Sequence, residues 1–149
     1  MNPMDSPALI SGKTNLRAIT IAYWVVTALF CLEMSFTAYY ELLVLPQAAE
    51  AFTRLGFPAG YFRVELSWAK VVGVLALLVP MRPAWVNRWI KEWAYAGFAF
   101  NLVSALIAHL SIHDRPAALV PSSITSVLWI LSYYFWRRLQ TVPANESMQ

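Results

Sequence analysis

The chain has 149 residues, about one domain's worth, but 59% of them are hydrophobic and 13% charged, against about 45–50% and 25% in soluble domains. Phe, Trp and Tyr at 8, 7 and 7 supply part of the surplus, as membrane interfaces favour, so the formal charge of +3 belongs to an integral membrane protein and gives no nucleic-acid signal. That composition excludes a disordered chain and a disulfide-stapled module, and a single cysteine, Cys31, excludes an intramolecular disulfide, a CxxC pair and a thiolate zinc cage.

In chain order, residues 1–16 contain Pro3, Pro7 and Gly12 and are too polar for a signal peptide; they are expected to form a cytoplasmic N-terminal tail. Residues 17–138 form the membrane domain. Within it, four apolar runs approach the ~20 residues needed to cross a ~30 Å hydrocarbon layer, over residues 18–45, 64–79, 93–112 and 117–136. The second is short and contains Lys70. Pro46, Pro80 with Pro83, the His113-Asp114-Arg115-Pro116 turn and Arg137-Arg138 bound them. Such runs predict helices, since a barrel needs many shorter alternating strands. The fold class is all-α, an integral membrane four-helix bundle.

Between the first two spans, Ala48, Ala49, Phe52 and Leu55 fall on one helical face and Glu50 and Arg54 on the other, predicting a short interfacial helix that Gly56 and Pro58 stop. In the middle loop, Trp85, Trp89 and Trp93 recur every four residues among Arg88, Lys91 and Glu92. This reads as an aromatic belt at the inner headgroups. Residues 139–149 are a polar tail. Lys13, Arg17, Arg82, Arg88, Lys91, Arg137 and Arg138 fall on one side of the spans, and Arg54, Arg63 and Arg115 on the other. The excess places both termini in the cytoplasm.

Ionisable residues inside spans are costly and usually face a bundle interior. Glu33, Lys70 and His109 are such residues, with Glu41 and Glu65 nearer the edges. At ~1.5 Å per residue, Glu33 lies roughly 24 Å beyond Arg17, His109 roughly 25 Å beyond Glu92, and Lys70 roughly 10 Å past Arg63 from the other side. The three reach one level in the outer half. Ser122, Ser123, Thr125 and Ser126 of the last span reach it too.

Two readings follow. One is an internal network, Glu33 with Lys70 and His109 among the hydroxyls, that fixes helix register. The other is a largely apolar pocket with Glu33, Lys70 and His109 as its chemical groups and Tyr40, Glu65, Asn101, Ser104, Ser123 and Ser126 around the ligand. Gly97, Asn101, Ser104 and Ala108 share a stripe that reads as close helix packing, and Gly73 serves the same end beside Lys70. His109 and His113 are four apart, a spacing that one metal ion can bridge, but His113 sits at the loop and a third ligand would have to come from Asp114 or Glu33, so neither bound metal nor haem is expected. Cys31 reads as a buried apolar thiol.

The runs Leu55-Gly56-Phe57-Pro58, Ala69-Lys70-Val71-Val72-Gly73-Val74-Leu75-Ala76-Leu77-Leu78-Val79-Pro80, Lys91-Glu92-Trp93-Ala94-Tyr95-Ala96-Gly97-Phe98 and Ala108-His109-Leu110 occur in that order. The set resembles the DoxX-like family over roughly residues 20–137. The resemblance implies a four-helix protein of the bacterial inner membrane, with relatives linked to membrane oxidoreductase complexes. Glu65, Lys70, Glu92, Asn101 and His109 match the family's recurrent polar positions.

The function expected is a membrane component associated with oxidoreductase chemistry that binds a quinone or similar apolar molecule in the outer-half pocket. Its partners would be membrane lipids, that lipid-soluble molecule and an oxidoreductase subunit, with self-association through small-residue stripes. Two alternatives stand beside it. One is a stand-alone enzyme, an isomerase or hydrolase using Glu33 and His109 as acid and base. The other is a small proton-coupled transporter, which requires a carboxylate that no nearby ammonium neutralises.

Overall fold

The computed structural model describes residues 7–43, 46–57 and 60–141. Those residues form five helices: α1 (Pro7–Leu42), α2 (Pro46–Arg54), α3 (Tyr61–Leu78), α4 (Ala84–Ser111) and α5 (Pro116–Gln140). No strand occurs among them. α1 lies along α3 and α5, and α4 along the same two helices. Three segments are long and apolar enough to cross a membrane: Leu16–Leu42, Ala84–Ser111 and Pro116–Gln140. α3 carries Arg63, Glu65 and Lys70 within its 18 residues.

Several boundaries differ from the sequence reading. α1 starts at Pro7, inside the expected tail, because proline is suited to a first helical turn and Gly12 costs only ~1 kcal/mol in a helix. The expected middle loop shrinks, because α4 starts at Ala84 and Trp85, Trp89 and Trp93 form its outward face. Lys91, between them, is no headgroup anchor. It is buried, donates a 3.2 Å hydrogen bond to Tyr23 Oη, and lies 5.7 Å and 5.9 Å from the rings of Tyr23 and Trp24. Residues 1–6 of the N-terminal tail, Leu45 at the end of the first expected span, Pro58 and residues 142–149 of the C-terminal tail lie outside the described residues.

Two helix ends share a motif that matters for the site. At the end of α2, Gly56 has φ +78°, its N–H reaches Thr53 O at 3.0 Å, and Phe57 N–H reaches Phe52 O at 2.9 Å. This is the Schellman arrangement, with Phe52 against Phe57 as its apolar contact. α4 ends the same way, His113 at φ 51° bonding Leu110 O and Asp114 N–H bonding His109 O, both at 3.1 Å. The second turn folds Asp114 back over His109.

The molecule is apolar outside and partly polar within. Leu32, Phe36, Trp68, Val72, Phe100, Val103, Ile124 and Val127 are exposed, whereas Thr27, Ser67, Lys70, Thr125 and Ser132 are buried. Packing is also uneven along the helix axes. At one end Phe30 meets Phe98 edge-to-face at 5.0 Å, and Tyr95 packs against Trp129, Tyr133 and Trp136. Thr27 and Tyr95 each share a 2.7 Å hydrogen bond with Ser132, the pattern that joins helices in an apolar medium. The other end, beneath α2, is hollow.

Candidate functional site

That hollow is a cavity of about 740 Å³ between α1, α3, α4 and α5, beneath the turn that follows α2. Its apolar walls include Met34, Leu66, Phe100, Leu102 and Ile107. Phe52, Phe57 and Phe62 roof it, the last two rings stacked at 5.3 Å. Polar groups enter from every long helix: Glu33, Thr37 and Glu41 from α1, Lys70 from α3, Asn101 and Ser104 from α4, Ser122 and Thr125 from α5.

The carboxylate facing Lys70 is Glu41. Lys70 Nζ stands 2.6 Å from Glu41 Oε1, with both side chains largely buried. Ser67 Oγ lies 2.9 Å from Glu41 Oε2 and 2.7 Å from Arg63 O, and an Arg63 N–H donates to the backbone oxygen of Glu41. The sequence reading pairs Glu33 with Lys70 and His109, and that network is not formed. Glu33 takes a hydrogen bond from the Thr125 hydroxyl. Eight-residue separation explains the change: Glu33, Thr37 and Glu41 recur at i, i+4 and i+8 on one face of α1, and the short α3 brings Lys70 opposite the last of them.

His109 stands apart from these groups. Its Nδ1 is 2.8 Å from Asp114 Oδ2, and Arg54 of α2 reaches the same carboxylate at 2.9 Å. His109 is thus part of a clasp that fastens α2 across the cavity's mouth. The hydrogen bond with His109, then the Arg115 N–H and the Arg54 charge, hold the Asp114 carboxyl below its ordinary value of 3.8. His113 is exposed, and among the described residues no group of three or more His, Cys, Asp and Glu could hold a metal.

Of the other expected site residues, Asn101 and Ser104 line the cavity. Tyr40 is half-buried with its ring stacked on Phe36 at 6.3 Å, and Glu65 and Ser123 are exposed. Ser126 donates to Ser122 O at 2.7 Å, bonding within its own helix. None of these four belongs to the cavity wall. The stripe of Gly97, Asn101, Ser104 and Ala108 faces the cavity rather than a neighbouring helix, and a Cβ on Gly97 would meet nothing within 4 Å. Gly73 does make a close approach, since a Cβ there would fall 2.7 Å from the Phe98 ring.

The sequence reading missed Glu41 as the partner of Lys70 and the phenylalanine roof. The signal for Glu41 was its i+8 spacing from Glu33. The roof's signal was Phe52, Phe57 and Phe62 at fivefold spacing, which no helical or strand period collects on one face.

A second, more open cavity of about 560 Å³ lies between α3 and α4. No curated protein and no solved structure matches the chain significantly. The profile of the DoxX-like family matches residues 25–131, most of the chain, and with three helices able to cross a bilayer it settles the class: this multi-pass membrane protein belongs to the DoxX-like family.

Proposed function

We propose that the protein is a four-helix bundle of the bacterial inner membrane, with α3 as the fourth span and both termini cytoplasmic, and that its 740 Å³ cavity binds a lipid-soluble molecule with an oxygen-rich head. The observation that carries this reading is the cavity's make-up: apolar walls with a few convergent polar groups, the general form of a small-molecule site. α3 suits the fourth position because Arg63 and Lys70 turn inward to α1, leaving Trp68, Val72 and Leu75 outside. Lys70 and Asn101 present N–H donors to a ligand carbonyl. A quinone fits that chemistry, and the protein would then serve an oxidoreductase partner subunit as its membrane component.

Native mass spectrometry of the detergent-purified protein tests this. Wild type should carry a small-molecule adduct that Lys70→Met and Glu33→Gln weaken about tenfold or more, while His109→Ala, outside the cavity wall, retains it. An empty wild type, or equal loss in all three variants, would overturn the reading.

One observation favours a second reading, the proton-coupled transporter. Lys70 neutralises Glu41, leaving Glu33 with a hydroxyl as its partner, so the carboxylate such a mechanism needs is present. Proton-driven uptake of a cationic substrate into proteoliposomes, abolished in Glu33→Gln, would replace the first reading with this one.

A further inference from the structure

The second cavity runs between α3 and α4 as an almost wholly apolar groove. Its walls include Trp68, Val72 and Trp93, which are 57%, 63% and 74% exposed. Eleven residues of α4 separate Ile90 at one end from Asn101 at the other, about 16 Å of helix. Gly73 and Phe98 set its floor, the ring occupying the space that a side chain at 73 would fill.

The groove and the inner cavity share Leu66, Lys70, Gly97 and Asn101. They therefore adjoin at the two side chains that bring N–H donors to the site, Lys70 and Asn101. Gly97 keeps the junction open, because any side chain there would project into the space between the cavities. On the lipid-facing side the groove offers a hydrocarbon chain apolar contact along its length. At its head it offers the Lys70 ammonium, which has three N–H donors of which Glu41 takes one, and the Asn101 amide.

We propose that the groove is a lateral portal and chain-binding site for a single-chain amphiphile whose head bears a carbonyl or carboxylate oxygen. The head passes between α3 and α4 to Lys70 and Asn101. The chain stays in the groove, against Val72, Ala76, Ile90 and Ala94. The ligand thus moves between bilayer and site without leaving the hydrocarbon layer, so its chain is never exposed to water. This proposal rests on reading the inner cavity as a ligand site and adds to it the ligand's shape, its route and the position of its tail.

The test is photolabelling in membranes with palmitic acid carrying a mid-chain diazirine, and with a prenylquinone carrying the same group in its side chain. The expected labels fall on residues 72–76 of α3 and 90–94 of α4, and excess unlabelled compound competes them away. Labelling by the first probe alone marks a carboxylate head, and by the second alone a quinone carbonyl. Ala69→Trp fills the groove from an exposed position and should lower competed labelling about tenfold with thermal stability unchanged; Val72→Trp gives an independent check. Competed labels confined to Phe52, Phe57, Phe62 and Pro121 would overturn the portal and leave the inner site standing. No competed label anywhere would overturn both. An intermolecular disulfide formed in membranes by Val72→Cys in a Cys31→Ser background, with no competed labelling, would show a second copy filling the groove and also overturn the proposal.

Discussion

Glu41 and Lys70 are both largely buried and 2.6 Å apart, so each is tolerated because of the other. Removing one partner strands a charge, which costs about 3–5 kcal/mol, whereas replacing both is often nearly neutral. Lys70→Met should therefore lower thermal stability in detergent steeply, and Glu41→Gln with Lys70→Met should recover much of the loss. A double variant no more stable than the single one would deny the coupling. Gly73→Ala tests the other close approach. Its Cβ would lie 2.7 Å from Phe98, and overpacking of that kind costs about 1–3 kcal/mol; Phe98→Leu in the same chain should relieve it. Gly97→Ala, which meets nothing, should leave stability unchanged or slightly higher. The two glycines look alike in the sequence, because spacing shows which residues share a helix face but not how closely the opposite helix approaches. Depth arithmetic puts Glu33, Lys70 and His109 at one level; the first two do line one cavity while His109 is held by Asp114 outside its wall, and the arithmetic cannot choose between Glu33 and Glu41 as the partner of Lys70. That choice follows from how far α3 is displaced along α1.

At the scale of elements, helix identity was legible because apolar runs and their proline and glycine boundaries are local. The short amphipathic helix was legible too: of its expected apolar face Phe52 and Leu55 line the cavity, joined by Ala51, while Glu50 and Arg54 face outward. What fastens α2 was not legible, since it depends on the αL turn at His113 carrying Asp114 back to meet both His109 and Arg54. The clasp has a definite pH dependence. Among the groups that lower the Asp114 carboxyl, after the His109 hydrogen bond and the Arg115 N–H, the Arg54 charge is the one that docking of α2 adds, so the clasp contributes fully above about pH 4. Its contribution is lost as the pH falls further and the docked carboxylate protonates. Amides of α2 should show faster hydrogen exchange, beyond the intrinsic pH effect, only in that acid range. Asp114→Asn should give exchange roughly threefold to fivefold faster at neutral pH and no additional acid step. An α2 whose protection is the same in both proteins at every pH would show that the phenylalanine roof alone holds it.

For the whole molecule, the decisive question is how many helices cross the bilayer, because the answer fixes what the cavity opens to. Composition alone admits three, α3 being disqualified by its charges. Packing argues for a fourth. α3 is 18 residues long, about 27 Å of helix, close to the ~30 Å of hydrocarbon. Arg63 and Lys70 are satisfied by α1, and apart from Glu65 in its second turn, near the helix end, the residues α3 turns outward include the apolar Trp68, Val72 and Leu75. A helix lying at the surface would keep its charges in water and its apolar face against lipid, the opposite of what α3 presents. Crossing number sets parity. Four spans put the two ends of the chain on one side of the membrane, three put them on opposite sides. Reporter fusions at each end should therefore give the same side, and the seven-to-three distribution of Lys and Arg makes that side the cytoplasm. Opposite sides would remove α3 from the bilayer and open the face bearing Lys70 and Asn101 to water, leaving no lipid-bounded groove for a hydrocarbon chain.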